Sequence, residues 1–263
     1  MRPIVRPPAV AGAFYPADRH TLEADVRGYL AGADTVSPDF PVRILIVPHA
    51  GYVYSGPVAA TGYRLLEDMP DLRRIVMFGP SHYVWFPGLA LPGADLLETP
   101  LGTVAVDRAG ADQIAGSRLV AESAAAHERE HSLEVQLPFL QIVAPGVPVV
   151  PLLTGDIGPA DAADIVELLL DDSTLLLVSS DLSHYHDSKT ARRLDAATIA
   201  AIERLDPSAL DRESACGRTG IQAALHLARR RGYDVHVLDV RNSSDTAGPP
   251  DRVVGYASIA IGG

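Results

Sequence analysis

A single cysteine, Cys216, excludes an internal disulfide bond in this chain. No apolar run approaches the about 18 residues that a membrane-spanning helix requires. The first residues, MRPIVRPPAVAGAFYP, are broken by prolines and lack the continuous hydrophobic stretch of a secretory signal. These absences predict a cytoplasmic protein that keeps its thiol reduced.

Basic residues are also scarce. The chain has 22 Lys and Arg against 33 Asp and Glu, a formal net charge of −11. Such a charge repels phosphate backbones and anionic lipids, so we expect neither a nucleic-acid nor a membrane partner. Solubility alone also accounts for the acidity.

The Walker loop, the GxGxxG fingerprint after a strand and the GxSxG nucleophile turn are absent, which argues against nucleotide binding and α/β-hydrolase chemistry.

Four segments share one design, a short run of Val, Ile and Leu followed by a turn with polar residues. They are RILIVPHAGYVYSG (43–56), RRIVMFGPSHY (73–83), VPVVPLLTGD (147–156) and TLLLVSSDLSHYH (174–186). Near-continuous apolar runs of this length are typical of strands buried on both faces of a mostly parallel sheet. Hydrophobic residues make up 47% of the chain, enough for a sizeable core.

Segments near these strands carry apolar residues at helical spacing. We predict helices over 57–67 with Pro57 in the first turn, 131–144 with an interruption near Pro138, 159–170, and 189–205. A further helix follows Gly217 and Gly220.

The C-terminal part has a different pattern. YDVHVLDVRNSSD (233–245) and DRVVGYASIAI (251–261) predict an antiparallel pair at a sheet edge, and LETPLGTVAVD (97–107) predicts a short hairpin. The sequence therefore predicts one α/β domain over 1–263. It has a mostly parallel central sheet, helices on both faces and antiparallel edge strands near the C-terminus.

Histidines follow three of the predicted strands. His49 follows the first, His82 the second, and His184 and His186 follow the fourth together with Asp181. Ligands of open α/β sheets bind beyond the carboxyl ends of the strands, which meet at one rim. A lone loop histidine is usually a surface or hydrogen-bonded residue, but this placement predicts a small-molecule pocket in which His49 and His82 bind a metal or act in catalysis.

The DLSHYH motif is the richest in polar groups. Asp181 is close enough in sequence to His184 for its carboxylate to orient the ring as a general base, and a backbone carbonyl is the alternative partner for that ring. In the alternative reading, Asp181 caps a helix and His184 lies in the first turn, and both roles can hold together. We interpret His186 as structural.

Two further motifs stay open. His127 and His131 are spaced i, i+4 as in the HExxH zinc motif, but that motif needs a continuous helix and a third ligand, so we read His131 as an inward-pointing polar residue at a helix start. Cys216 near a helix N-terminus would have a lowered pKa and act as a ligand or nucleophile; a small buried apolar residue is the alternative. We interpret three further histidines as structural, namely His20, His226 and His236.

Six ordered motifs resemble those of the Memo family (mediator of cell motility), whose prokaryotic members are also called AmmeMemoRadiSam system protein B. The motifs are RPPAVAGAFYP, VPHAGYVYSGPVAA, GPSHY, EHSLEVQLPFL, SSDLSHY and ACG, and the resemblance runs from about Arg6 to the C-terminus. The family is similar in fold to class III extradiol dioxygenases, which hold non-haem Fe(II) by two histidines and a glutamate.

The resemblance implies a role for each matching residue. His49 and His82 match the two histidine ligands, and His184 matches the acid/base histidine with Asp181 beside it. Cys216 matches the cysteine that replaces the glutamate ligand of the dioxygenases, which favours softer metals and puts dioxygenase activity in doubt. We therefore expect one metal ion, Fe(II) or Cu, with Zn as a further candidate.

Two hypotheses about function follow. In the first, the protein is a metal-dependent oxidoreductase related to extradiol dioxygenases that acts on a small, phenolic molecule. In the second, it is a non-catalytic binding or adaptor module whose vestigial pocket recognises a peptide or small ligand. The resemblance also implies a functional association with AMMECR1-like and radical-SAM proteins.

Overall fold

The computed structural model describes residues 2–34 and 36–263. Within them the strands are Val5–Arg6 (β1), Val42–Val47 (β2), Arg74–Pro80 (β3), Leu89–Leu91 (β4), Leu96–Thr99 (β5), Gly102–Ala105 (β6), Val120–Glu122 (β7), Val149–Thr154 (β8), Thr174–Ser179 (β9), His184–His186 (β10), Asp234–Asn242 (β11) and Val253–Gly262 (β12). The α-helices are Arg19–Ala31 (α1), Tyr52–Tyr63 (α2), Arg108–Ile114 (α3), Ala124–Glu128 (α4), Leu137–Val143 (α5), Pro159–Glu167 (α6), Ser188–Glu203 (α7) and Arg218–Arg231 (α8).

The main sheet has the strand order β10-β12-β2-β9-β3-β8-β4-β7, and β11 also pairs with β12. Its centre, β2-β9-β3-β8, is parallel throughout, whereas β12 is antiparallel to β2, β10 and β11. This arrangement confirms the predicted single α/β domain with a mostly parallel centre and antiparallel strands from the C-terminal part.

Both faces of the central strands are buried. Along β2, Leu45 and Val47 pack into the core cluster that contains α1, α2 and α5, while Ile44 and Ile46 pack into the cluster that contains α6 and α8. The neighbouring strands β3 and β9 alternate in the same way. A strand that is apolar on both faces shows no polar alternation, which explains the continuous hydrophobic runs in the sequence.

Two predicted helices differ in detail. The helix placed at 57–67 begins at Tyr52, so Pro57 lies inside α2 instead of in its first turn. The segment 131–144 forms a short 3-10 turn at Glu134–Gln136 followed by α5, with Pro138 at the start of that helix. The first turn of a helix tolerates proline, because the N–H that proline lacks would have no partner there. The predicted interruption near Pro138 is therefore the start of α5.

A second, three-stranded sheet has the order β1-β5-β6 and contains the predicted hairpin at 97–107. Its first strand belongs to the N-terminal arm, which we define as residues 4–15. No helix in the described part of the chain is long and apolar enough to cross a membrane.

Candidate metal and catalytic site

The carboxyl ends of three adjacent parallel strands form the floor of a cavity. Val47 at the end of β2 pairs with Ser179 at the end of β9, and β9 in turn pairs with β3. The chain therefore leaves all three strands at one rim, and a cavity of about 950 Å³ opens above it. The predicted residues His49, His82, Asp181, His184 and Cys216 all line this cavity.

Three imidazoles converge at the floor. One ring nitrogen of His49, His82 and His131 lies within 4.8 Å of the corresponding atom of each of the others, a spacing that suits a single metal ion. The rings of His82 and His131 stack with centroids 4.6 Å apart, and His49 lies edge-on to both. The structure thus brings His131 to the position next to the two predicted histidine ligands.

The tautomer of His49 follows from its neighbours. Ser179 Oγ donates its only hydrogen to the Ser132 carbonyl at 2.5 Å and accepts from Gln136 Nε2 at 2.7 Å. His49 Nδ1 lies 2.8 Å from the same oxygen and must therefore donate to it. The lone pair of His49 is left on Nε2, the form in which imidazole binds a metal.

A buried carboxylate orients His82. Glu130 accepts from His82 Nδ1 at 2.9 Å and from the backbone N–H groups of His82, His131 and Ser132. Because Nδ1 of His82 donates to this carboxylate, Nε2 carries the lone pair. A carboxylate behind a histidine is the usual partner of a metal-bound imidazole, since it fixes the ring and increases its basicity.

His131 has an unsatisfied buried nitrogen. Its Nδ1 has no hydrogen-bond partner, although Glu130 Oε1 lies 3.3 Å away. A buried polar atom without a partner is uncommon and calls for a ligand or an ion. This atom, together with the Nε2 lone pairs of His49 and His82, indicates that the residues present fit a metal ion.

Lowered pKa values keep the rings of His49 and His131 neutral at physiological pH. Burial, together with the nearby His82, lowers the pKa of His49 to about 3, and burial together with His49 lowers the pKa of His131 to about 4. Burial alone would raise the pKa of Glu130, but the hydrogen bonds from His82 outweigh it and hold that pKa at about 2. Neutral imidazoles beside an ionised carboxylate can bind a cation without first losing a proton.

Cys216 lies beside the histidines but outside the compact group of three. Its Sγ is 3.1 Å from His49 Nε2 and accepts from the Asp181 N–H at 3.2 Å. Gly217 allows this close approach, since a Cβ there would lie 2.6 Å from the Ser179 carbonyl. Burial and then the Asp181 carboxylate raise the pKa of the thiol, opposite to the lowering expected at a helix N-terminus. Its assignment as a ligand stays a prediction.

His184 and Asp181 line the same cavity without pairing through the carboxylate. His184 Nδ1 donates to the Leu182 carbonyl at 2.8 Å, which leaves Nε2 free to exchange a proton. The Asp181 carboxylate instead accepts from the backbone N–H of His49 at 2.8 Å. Asp181 therefore fixes the loop that carries His49, and a carbonyl orients His184.

His127 takes no part in the site. Its Nε2 contacts the Ala90 carbonyl at 2.8 Å, and α4 ends at Glu128, before His131. The two histidines do not share a helix, so the HExxH reading is wrong.

The N-terminal arm holds the segment that carries Glu130 and His131. The Arg6 guanidinium donates to the carbonyls of His127 and Glu130 and pairs with the buried carboxylate of Glu134. These contacts join a segment more than 120 residues away in sequence to the rim of the main sheet. The position of His131 therefore depends on the arm.

Replacing Glu130 with glutamine should lower metal affinity about 10- to 100-fold, the range seen when the partner of a ligating histidine is removed. Glutamine keeps the shape but cannot accept from all four donors at once. Competition with a chelator of known affinity measures the effect. Glu128→Gln, an exposed carboxylate on α4, is the matched control; equal affinities for the two variants would contradict the orienting role.

Comparison with known proteins identifies the family of this chain. Residues 6–260 match the family described as Memo-like protein. Proteins named MEMO1 family protein from Thermotoga maritima, Thermoplasma acidophilum and Aquifex aeolicus are 38%, 35% and 36% identical to this chain. Each match covers 97% of this chain and 97 to 99% of the relative. The chain therefore belongs to the Memo family.

Proposed function

We propose that this protein binds one metal ion through His49, His82 and His131 and uses it in redox chemistry on a small molecule. The observation that carries the proposal is the group of three imidazoles with ligand atoms within 4.8 Å of one another at the floor of a cavity. Imidazole suits Fe, Cu and Zn, and of these Fe or Cu, when bound, would supply electron transfer.

The chain's own groups have separate tasks in this proposal. Glu130 and Ser179 hold the rings of His82 and His49 in the tautomer that leaves the lone pair on Nε2. His184 lines the same cavity, and its Nδ1 donates to the Leu182 carbonyl, which leaves Nε2 with a lone pair. This Nε2 can take a proton from a substrate hydroxyl and return it later. Cys216, 3.1 Å from His49, is the neighbouring group that would donate sulfur to a soft metal.

A non-catalytic binding module is the second candidate, and one observation favours it. The carboxylate closest to the histidines, Glu130, accepts four hydrogen bonds and stands behind His82. Among the described residues, the group of converging ligand atoms holds three imidazoles and no carboxylate, unlike the two-histidine, one-carboxylate iron oxygenases. A pocket of this kind could bind a ligand without turning it over.

Replacing His184 with alanine separates the two candidates. Protein loaded anaerobically with Fe(II) or Cu(I) is assayed for metal content and for oxygen uptake with catechol. We expect the variant to keep one metal per chain and to lose at least about 100-fold in rate, the typical contribution of a general acid–base group. His226→Ala, away from the cavity lining, is the control.

The outcomes are distinct. Loss of metal in His184→Ala would make this residue a ligand and overturn its proposed role. Stoichiometric metal without oxygen uptake in the wild-type protein, across a panel of phenols, would support the binding module.

A further inference from the structure

The mouth of the cavity is built by three segments from different parts of the fold. Strand β10 supplies Tyr185, the segment between α7 and α8 supplies Arg212, and the segment before β12 supplies Arg252. All three side chains are exposed and line the cavity that has the histidines at its floor. The mouth therefore carries two guanidinium groups and an aromatic ring.

Tyr185 adopts a backbone conformation that is unfavourable for its type. Its φ is +64°, in the left-handed region that non-glycine residues rarely enter. The Arg252 guanidinium lies over the exposed ring, 4.4 Å from its centroid. Strain of this kind persists where the surrounding structure holds it, and such positions cluster at ligand sites. This cation–π contact holds the Arg252 guanidinium at the edge of the cavity.

Neither mouth arginine has an anionic partner within the described residues. Arg212 and Arg252 form no ion pair there, unlike the buried Arg6 or the half-buried Arg74, which pairs with Asp107 at 2.6 Å. Of the two acidic residues that line the cavity, Asp181 is buried at the floor and accepts from the His49 N–H, and Glu213 alone is exposed at the mouth. The mouth thus has more free positive than negative charge.

The local excess of positive charge at the mouth contrasts with the negative net charge of the whole chain. A protein with a net charge of −11 repels anions over most of its surface. Two unpaired guanidinium groups at the opening of a pocket form a local exception that can attract and hold an anionic group. Arginine is well suited to carboxylate and phosphate because its planar donors match their oxygens.

From these observations, and resting on the proposed metal-dependent function, we infer that the ligand of this pocket carries a carboxylate or phosphate group that Arg212 and Arg252 bind at the mouth. The rest of the ligand reaches toward the histidines. A cavity of about 950 Å³ has room for a molecule held at both ends. Phe14, Tyr54 and Tyr256 also line the cavity and favour a ligand with an apolar or aromatic body.

The test compares three probes that differ in charge: benzoate, phenyl phosphate and the neutral benzyl alcohol. Their dissociation constants for the metal-loaded protein are measured by ligand-observed NMR. We expect at least one anion to bind about tenfold more tightly than benzyl alcohol, as charge-assisted hydrogen bonds are stronger than neutral ones. The anion that binds more tightly identifies the carboxylate or the phosphate as the recognised group.

Variants show whether the arginines are responsible. Arg212→Gln and Arg252→Gln should each remove most of the preference for the anion, and Glu213→Gln should increase it. Arg118→Gln is the matched control, since Arg118 is exposed, forms no ion pair among the described residues and lies beside β7, at the opposite edge of the sheet from β10. Equal binding of the neutral and anionic probes, or equal effects of Arg252→Gln and Arg118→Gln, would overturn the inference.

Metal content is measured for every variant, so that the two proposals can fail separately. Arginine-dependent binding of an anion by a protein that holds no metal would leave the inference standing and remove the proposed function. A metal-loaded protein without preference for anions would leave the proposed metal binding standing and overturn the inference about the anionic ligand.

Discussion

Replacing His131 with alanine is expected to lower the affinity for the metal at least about 100-fold, more than removing the partner of a ligand. His131 supplies one of three imidazoles in the group, and its buried Nδ1 has no other hydrogen-bond partner. Two imidazoles hold a divalent ion far less well than three. Metal retained after competition with a chelator, measured by plasma mass spectrometry, gives the affinity.

His20→Ala is the control for this experiment, since His20 is an exposed histidine at the start of α1. It removes an imidazole from the surface and should leave the tight site unchanged. Unaltered affinity in His131→Ala, together with loss of metal in Cys216→Ser, would instead select the cysteine as the third ligand.

Replacing Glu134 with alanine is expected to lower the free energy of unfolding by about 3–5 kcal/mol, the range for breaking a buried ion pair by removing one partner. Glu134 is 2% exposed and accepts from Arg6, from the N–H groups of Ala9 and Val10 and from the hydroxyl of Tyr15. Its removal leaves the Arg6 cation and three other donors without their acceptor. Urea denaturation measures the change.

The exposed Glu128 provides the matched variant, because Glu128→Ala removes a carboxylate of the same type without breaking a described contact. We expect its stability to stay within about 0.5 kcal/mol of the wild type. If Glu134→Ala lowered the free energy of unfolding by no more than Glu128→Ala, the N-terminal arm would not hold the rim as described.

The sequence predicted the part of the site that depends on strand order. His49, His82 and His184 follow β2, β3 and β9, and parallel strands place their carboxyl ends at one rim. That rule requires only the recognition of buried apolar runs. It accordingly located the cavity and three of the histidines that line it.

His131 could not be found in this way, because it does not follow a strand. It lies on the segment between α4 and the 3-10 turn at Glu134–Gln136, which crosses the rim through long-range contacts such as Ser132 Oγ to the Pro80 carbonyl. The adjacent Glu130 was the available signal, since a carboxylate next to a histidine is typical of a metal site.

Local spacing was also a poor guide to which groups pair. Asp181 and His184 are three residues apart, yet the carboxylate accepts from the His49 N–H because Asp181 lies two residues beyond the end of β9, beside the loop that follows β2. Of the two readings left open for Cys216, the raised pKa of its thiol fits the buried residue, and the sequence could not choose between them because it does not report burial. The association with AMMECR1-like and radical-SAM proteins rests on the resemblance and stays a prediction.

X-ray absorption spectroscopy of the Zn²⁺-loaded protein tests the central claim most directly, because Zn²⁺ is redox-silent and its bond lengths distinguish nitrogen from sulfur. Zinc–nitrogen bonds are about 2.0–2.1 Å and zinc–sulfur bonds about 2.3 Å. We expect one Zn²⁺ per chain with the multiple-scattering signature of three imidazoles, retained in Cys216→Ser and reduced to two in His131→Ala. A spectrum that His131→Ala leaves unchanged would contradict the three-histidine site.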